Sequence, residues 1–379
     1  MSPRKPCIAF TGGGTGGHVY PGLAVIEELR RVWDGRIVWL GSGKELERKA
    51  VEDAGVEFFA LPSGKLRRSL SLENVADAFR VAAGFVAARR LLKELEPLYL
   101  FSKGGYVSVA PCLAAASLGL PYAVHECDLS PGLATRITIR KAEAAYLSWD
   151  ASLAYLGPEL RAKSAVTGNP VREAFEAIGR GGRAAEAARA AGRAWLGFKD
   201  DDFVVLVLGG SQGAGQVNEL VSAALPRLVK TASVAHQTGA GKLPAQARAP
   251  RYHAFEFAHG NIAELYAAAD LVVGRAGANT LWEATAAGKP MILVPLEQGS
   301  RGDQVENASK LEAGGGAIVL GGADATAEAL AAAAEALAAD PARRAAMAAA
   351  AAAVVRTGAA ADIAARIAAA AARAGKEVR

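Results

Sequence analysis

A run of very small residues limits what the front of this chain can become. Behind the apolar segment Ile8–Phe10 comes Thr11-Gly12-Gly13-Gly14-Thr15-Gly16-Gly17-His18-Val19-Tyr20-Pro21-Gly22, with five glycines in the six positions 12–17. Glycine leaves backbone N–H groups bare and lets an anion come close. A helix starting just behind turns its positive end toward the same place. Strand, glycine turn and helix, in that order, imply a parallel α/β sheet with a phosphate cradle at its edge. His18 is the odd member. An ordinary dinucleotide loop does not need a titratable ring there, so its presence suggests chemistry as well as binding.

The same alternation continues along the 379 residues. Ile8–Phe10, Ile37–Leu40, Leu98–Phe101, Tyr122–Val124 and Tyr146–Leu147 read as strands of a first half; Phe203–Leu208, Leu271–Val273, Met291–Val294 and Ile318–Leu320 read as strands of a second. Continuous apolar runs between helices imply parallel sheets covered on both faces. A chain of this length divides most naturally into two domains. The hinge is read at Val166-Thr167-Gly168-Asn169-Pro170, giving residues 1–167, residues 168–356 and a terminal helix at 357–379. The Ala-rich stretch from Ala325 to Ala372 is helical by propensity and is punctuated at Asp340-Pro341 and Thr357-Gly358. Its expected role is packing, with the last helix returning to the first domain.

Composition narrows the setting. No apolar run reaches the ~20 residues of a membrane span, and the start shows no signal peptide. Cys7, Cys112 and Cys127 have no pairing or ligand spacing, which suits a reducing, cytoplasmic compartment. A net charge of +5 and a pI near 9.1 favour anionic partners. Nucleic acid is not among them, since no recognition helix or aromatic platform is present. Between Arg67 and Lys93, the residues Leu72, Val75, Phe79, Ala82, Ala83 and Val86 fall at helical spacing with basic residues on either side. Two readings stay open there: a plain crossover helix of the sheet, or a helix lying on an anionic membrane surface.

Three more glycine turns follow strands: Ser102-Lys103-Gly104-Gly105-Tyr106-Val107-Ser108, Gly209-Gly210-Ser211-Gln212-Gly213-Ala214, and Gly274-Arg275-Ala276-Gly277 ahead of Ala278-Asn279-Thr280-Leu281-Trp282-Glu283. Several such turns suggest two phosphate-bearing ligands. Glu283, two turns into a helix, is placed to accept from a ribose diol or simply to face water. His125-Glu126-Cys127-Asp128 closes a strand at the end where parallel sheets bind ligands. His18, His125 and Glu126 are therefore the candidate bases. Cys127 reads as a bystander thiol rather than a nucleophile. Asp200-Asp201-Asp202 contains the D-x-D pattern of metal-dependent sugar transferases but leads straight into a buried strand, so it reads as a solvated turn.

Taken together, the motifs resemble the MurG family, glycosyltransferases of bacterial peptidoglycan synthesis. The resemblance runs colinearly from residue 8 to about 320. It rests on G-G-G-T-G-G-H at 12–18, G-G-Y-V-S at 104–108, H-E-C-D-L-S-P-G-L-A at 125–134, G-N-P-V-R at 168–172, G-G-S-Q-G-A at 209–214, R-A-G-A-N-T-L-W-E at 275–283, and Asp303-Gln304 with Asn307-Ala308. The resemblance implies two Rossmann-like domains with parallel sheets facing across a cleft, the GT-B arrangement. It implies UDP-N-acetylglucosamine as donor, contacted by Thr15, Gly16, Gly17, Asp128, Arg172, Ser211, Gln212, Ala258, Ala278, Asn279, Thr280, Leu281, Trp282, Glu283 and Gln304. The acceptor would be an undecaprenyl-diphosphate-linked N-acetylmuramoyl peptide, its diphosphate held by Gly13, Gly14, Gly104, Gly105 and Tyr106. Many members carry Asn where Asp128 stands, and a branch carries Asp.

The implied reaction transfers N-acetylglucosamine to the acceptor's C4 hydroxyl with inversion. Helix starts and amides, not a metal, would hold the departing UDP, and no cofactor is expected. The implied location is the cytoplasmic face of the cell membrane, peripherally attached, near other cell-wall synthesis proteins and the processes of cell shape and division. Competing readings are a UDP-sugar epimerase or hydrolase on the same fold and a nucleotide-sugar-binding membrane adaptor. An NAD-dependent dehydrogenase lacks the acidic ribose-binding residue after the next strand.

Overall fold

The structure is a computed structural model that describes residues 5–65, 72–209, 215–258, 260–297 and 302–377. In chain order its elements are β1 (Cys7–Thr11), α1 (Gly16–Val32), β2 (Arg36–Gly41), α2 (Glu45–Asp53), β3 (Glu57–Ala60), α3 (Leu72–Leu95), β4 (Tyr99–Ser102), α4 (Val109–Leu118), β5 (Tyr122–Glu126), α5 (Leu133–Thr138), β6 (Ala144–Leu147), α6 (Pro158–Ala162) and β7 (Ser164–Val166). They continue with α7 (Glu173–Arg180), α8 (Arg183–Leu196), β8 (Val204–Leu208), α9 (Gly215–Leu228), β9 (Ser233–Gln237), β10 (Arg248–Ala249), β11 (Tyr252–Phe255), α10 (Ile262–Ala268), β12 (Leu271–Gly274) and α11 (Ala278–Ala286). Last come β13 (Met291–Leu293), α12 (Asp303–Ala313), β14 (Ile318–Val319), α13 (Ala327–Ala339), α14 (Pro341–Val354) and α15 (Ala359–Glu377). The chain forms two compact units, Met1–Arg172 with Gly358–Arg379, and Glu173–Thr357.

The first unit is a parallel sheet of order β3-β2-β1-β4-β5-β6-β7. The strands read from the sequence lie in it; β3 and β7, short and only partly buried, join them at its two edges. Ile8, Phe10, Trp39, Tyr99 and Phe101 fill one side of the sheet, and Ala9, Val38, Leu40, Leu100 and Val124 the other. Phe10 stacks on Trp39. The Trp39 ring occupies the place a side chain at Gly22 of α1 would take, 2.5 Å from such a Cβ. Helix and sheet therefore meet closely just behind the opening loop. The same core takes in Ala359, Ile363, Ala364, Ile367 and Ala371 of α15.

Helix α3 turns an unexpected face inward. Gly84, Ala88, Leu92 and Leu95 are buried, whereas Phe79 and Val86 of the apolar stripe are 73% and 66% exposed. The side chains of Leu72 and Val75, and Arg67 at the start of the basic flank, lie outside the described residues.

The second unit has the order β10-β11-β9-β8-β12-β13-β14, parallel except for β10 against β11. Strands β9, β10 and β11 escape a search for apolar runs because they carry His236, Gln237, Arg248 and His253. His236 is held on both nitrogens, Nδ1 at 3.1 Å from Tyr252 Oη and Nε2 at 3.1 Å from Asn218 Oδ1. Asn218 gives its amide N–H to Thr238 O, so its oxygen faces the ring. Nε2–H therefore donates to Asn218, and Nδ1 accepts from the tyrosine. Burial holds this neutral ring's pKa down at about 4.

The triple aspartate is a structural turn. Arg193, 1% exposed, donates to the carbonyls of Asp200 and Asp202 and to Asp270 Oδ2, each at 2.9 Å. The Asp202 carboxylate accepts from Lys199 N and Ser233 Oγ. This cluster ties the turn before β8 to the start of β12. In the Ala-rich stretch, Asp340 caps α14 by accepting from Arg343 N, with Pro341 in the first turn.

These buried groups set the stability of the second unit. Arg193→Met leaves Asp270 with Arg189 and Val204 N but frees the Asp200 and Asp202 carbonyls; it is expected to cost about 1–3 kcal/mol, read as a lower denaturant midpoint in chemical unfolding. As pH falls below 6.5 the unfolded chain protonates at His236, while the folded unit resists until about 4. Stability is therefore lost across that window. His236→Gln is expected to flatten this acid limb of the melting-temperature profile; an unchanged slope would exclude His236 as its source.

Candidate active site

In a doubly wound sheet, ligands bind outside the carboxyl ends of the strands where the strand order reverses. In the first unit that point lies between β1 and β4, which pair directly. The loop after β1 is the opening glycine run and the loop after β4 is Lys103-Gly104-Gly105, so both flank it. Their contact depends on absent side chains. Gly105 has φ +80°, and a Cβ there would fall 2.4 Å from Gly13 O and 2.7 Å from His18 Cδ2. Gly14 has φ +92°, and its Cβ would strike the Tyr106 ring at 2.4 Å. His18, in the first turn of α1, thus stands against Gly105 and near Gly104. Gly104 in turn backs onto His125 O, 3.2 Å from where a Cβ would be.

Thr15 is the exposed N-cap of α1, yet its hydroxyl makes no cap bond and no acidic residue occupies the first turn. The start of α1 is therefore electropositive and uncapped by side chains. Gly13 and Gly104 are buried, Gly14, Gly17, Gly105 and Tyr106 half-buried, and Gly16 buried. Arg172 lies over the Tyr20 ring at 5.6 Å.

The structure separates the three candidate bases. His125 is 1% exposed, and its Nε2 lies 3.0 Å from Gly168 O, so that nitrogen carries the proton and donates. Burial, reinforced by Lys103 and His18, holds its pKa well below 6.5. Glu126 is buried, with Oε1 accepting from Asp128 N at 3.1 Å and Oε2 from Gly132 N at 2.9 Å. It shapes the turn from β5 into α5. His18 is the half-buried member at the loop surface.

Cys127 sits between Glu126 and Asp128, with the three ligand-type atoms within 4.8 Å of one another. Burial first, then the Asp128 and Glu126 charges, pushes its thiol far above the usual range. A neutral thiol and a carboxylate already spent on two amides make a poor donor set and a poor nucleophile. The Cys7 and Cys112 thiols are raised too, to about 11 and about 12, by burial.

The second unit repeats the layout, reversing between β8 and β12. Of the loop after β8, positions 210–214, which hold Ser211 and Gln212, lie outside the described residues. The loop after β12 leads into α11 with Gly277 at the N-cap, no side-chain cap and no acid in the first turn. Asn279, Thr280 and Glu283 are half-buried, and Glu283 Oε2 accepts from Tyr266 Oη at 3.4 Å. Ala278, Leu281 and Trp282 are buried; Trp282 Nε1 donates to Arg356 O. The side chains of Leu281 and Trp282 thus belong to the core, and a ligand can meet only the backbone there. Half-buried Ala258 follows β11, beside Glu256, whose Oε1 accepts from Gly241 N. Gln304 Oε1 accepts from Leu296 N, and Asn307 Nδ2 donates to Ala276 O, which ties α12 to the loop after β12.

Two charged residues under the opening loop are missed by sequence reasoning. Glu47, buried, accepts from Ser42 N and Oγ, and a Cβ on Gly13 would lie 2.3 Å from its Oε1. Lys103 is buried within the second glycine turn. A lysine beside two glycines at a strand end is the only signal the sequence offers for it.

Comparison with known proteins agrees with this layout. Residues 8–147 match the glycosyltransferase family 28 N-terminal domain, and residues 204–367 match its C-terminal domain. Over 339 residues the chain is 45% identical to the UDP-N-acetylglucosamine–N-acetylmuramyl-(pentapeptide) pyrophosphoryl-undecaprenol N-acetylglucosamine transferase of Treponema denticola, covering 84% of each. A protein of the same name from Lachnospira eligens is 40% identical over 315 residues, 83% of this chain and 85% of that one. Among solved structures, Acinetobacter baumannii MurG matches with a TM-score of 0.69 at 23% identity, over 96% of this chain and 99% of that one. The UDP-GlcNAc 2-epimerase from Neisseria meningitidis matches with a TM-score of 0.64 at 16% identity, over 90% and 94%. These two structures speak for the GT-B fold alone. On the sequence matches, the chain belongs to glycosyltransferase family 28, with the MurG-type N-acetylglucosamine transferases.

Proposed function

We propose that this chain transfers N-acetylglucosamine from UDP-N-acetylglucosamine to the C4 hydroxyl of an undecaprenyl-diphosphate-linked N-acetylmuramoyl peptide, inverting the anomeric centre. The observation that carries the reading is the 45% identity to a transferase named for that donor and acceptor. The geometry supports it: each unit has an uncapped helix start and glycine turns at its own switch point. In this reading the second unit holds the donor. Glu283 accepts from the ribose hydroxyls, and the amides at the start of α11 face the diphosphate. Gln304 reads the sugar. The glycine loops of the first unit hold the acceptor diphosphate.

Charge separates as the glycosidic bond breaks. The anomeric carbon becomes positive, as in glycoside hydrolysis, and the departing UDP takes up negative charge. Preoriented amides and helix ends stabilise that charge without rearrangement, so the proposal requires no metal. A base must accept the proton of the C4 hydroxyl. His18 fits, because His125 is 1% exposed, with Nε2–H on the Gly168 carbonyl and Nδ1 sealed from solvent, and Glu126 is committed to two amides.

The acceptor's lipid tail requires a membrane-facing surface, and we assign it to α3. Its outward stripe, with Phe79 and Val86, adjoins a shallow groove lined by Phe85, Val86, Arg89, Arg90 and Lys93. Apolar side chains ringed by cations suit anionic headgroups. In this reading the protein works peripherally, at the cytoplasmic face of the membrane.

The assay is incubation with radiolabelled UDP-N-acetylglucosamine and a short-chain lipid-diphosphate muramoyl peptide. Label in the lipid product is the expected result; turnover of the donor alone would favour an epimerase or hydrolase. His18→Ala is expected to lower kcat by about 10²–10⁴-fold while UDP affinity, by calorimetry, barely changes. A near wild-type kcat would remove His18 from the role. Changing Arg89 and Arg90 to Glu is expected to cut co-sedimentation with anionic vesicles by about tenfold or more. Unchanged binding would take the membrane assignment away from α3.

A further inference from the structure

Lys103 is a cationic group at the first switch point that the mechanism above does not use. It follows β4 directly and is 1% exposed. Its Nζ is sealed from solvent and has no hydrogen-bond or ion-pair partner among the described residues. Its N–H donates to Thr11 O at 2.8 Å, which fixes it to the end of β1. Its stem runs under the opening loop: Lys103 Cβ lies 3.1 Å from the place of a Cβ on Gly12 and 3.8 Å from that on Gly22. Its charge reaches His125 and Cys127 at the end of β5. Because β4 pairs with both β1 and β5, Lys103 stands where the carboxyl ends of these three strands converge.

A buried ammonium is unfavourable unless an anion answers it. The nearby buried carboxylates are occupied, Glu47 by Ser42 N and Oγ, Glu126 by Asp128 N and Gly132 N. Asp128 bears on the same Cys127 thiol, and Lys103 Nζ makes no hydrogen bond to it. His18 and His125, the other titratable groups here, are not anions.

We propose that Lys103 is a fixed positive charge beneath the two glycine loops, and that the anion it answers is the diphosphate of the bound acceptor. It acts as a positioning residue. It draws the diphosphate onto the backbone around Gly14 and Gly105, so that the sugar hydroxyl comes to His18, and it takes no part in the bond changes. The inference rests on the assignment of the acceptor to the first unit.

The test uses Lys103→Met, which keeps the apolar stem and removes the charge, with Lys103→Gln as a second neutral variant. Both are measured in the full chain with the short-chain acceptor. The acceptor KM is expected to rise about tenfold, which corresponds to ~1.4 kcal/mol, while kcat and the donor KM stay near wild type. The melting temperature is not expected to fall, since a buried charge has been removed. Inorganic pyrophosphate is the second probe: it should raise the melting temperature of the wild type and do so less in either variant. An unchanged acceptor KM with an unchanged pyrophosphate shift overturns the proposal. So does a loss of melting temperature with all kinetic constants falling together, the signature of a structural lysine. If the wild type transfers nothing to the acceptor, the functional assignment fails instead, and the pyrophosphate comparison still decides whether Lys103 answers an anion.

Discussion

Two missing side chains hold the first unit's site together. The loops after β1 and β4 touch because neither Gly14 nor Gly105 carries a Cβ, and both have positive φ. Gly13 O, the His18 ring and the Tyr106 ring fill the volume that larger residues would claim. The His18 ring thereby packs against the backbone of Gly105. The parallel register of β1 and β4 sets the height at which the two loops leave the sheet, pairing Thr11 with Ser102 and bringing Lys103 N to Thr11 O.

Around that contact the polar groups fall into two kinds. Those at the end of β5 are buried and bonded within the fold: Glu126 accepts from two amides, and His125 donates Nε2–H to the Gly168 carbonyl. They hold the H-E-C-D turn in one shape and have little left to give a substrate. Those at the helix starts are the opposite. Thr15 in the first unit and Gly277 in the second leave the first turns of α1 and α11 without side-chain caps. Proteins usually satisfy such amides from within. Leaving them open at both switch points is what makes the arrangement suited to phosphate.

Much of this was legible in the residues themselves. Glycine turns after apolar runs imply a parallel sheet, and His18 stood out because the turn alone had no need of it. The misses have physical causes. Strands β9 and β11 bury histidines whose partners, Asn218, Tyr252 and the Leu196 carbonyl, come from elsewhere in the fold, so their polarity hid them. Strands β3 and β7 are short edges with little apolar content. The stripe on α3 had the spacing of a core face, but Gly84 lets the helix press its other side against Pro62. Leu281 and Trp282 lie in a motif whose conspicuous side chains serve the core while its backbone faces outward. The buried charges Glu47 and Lys103 were invisible because burial is a property of the fold.

The return of α15 bears on how the molecule is made. Ile363, Ala364, Ile367 and Ala371 complete one face of the first unit's core, yet they follow the whole second unit in the chain. That second unit is contiguous from Glu173 to Thr357, so all of it leaves the ribosome before those residues do. During synthesis the first-made unit must therefore wait, with the apolar side of β1 and α1 uncovered, while its later-made neighbour already has every residue it needs to fold. The order of synthesis and the order of completion are reversed, and the nascent chain carries an open apolar face until α15 has been made.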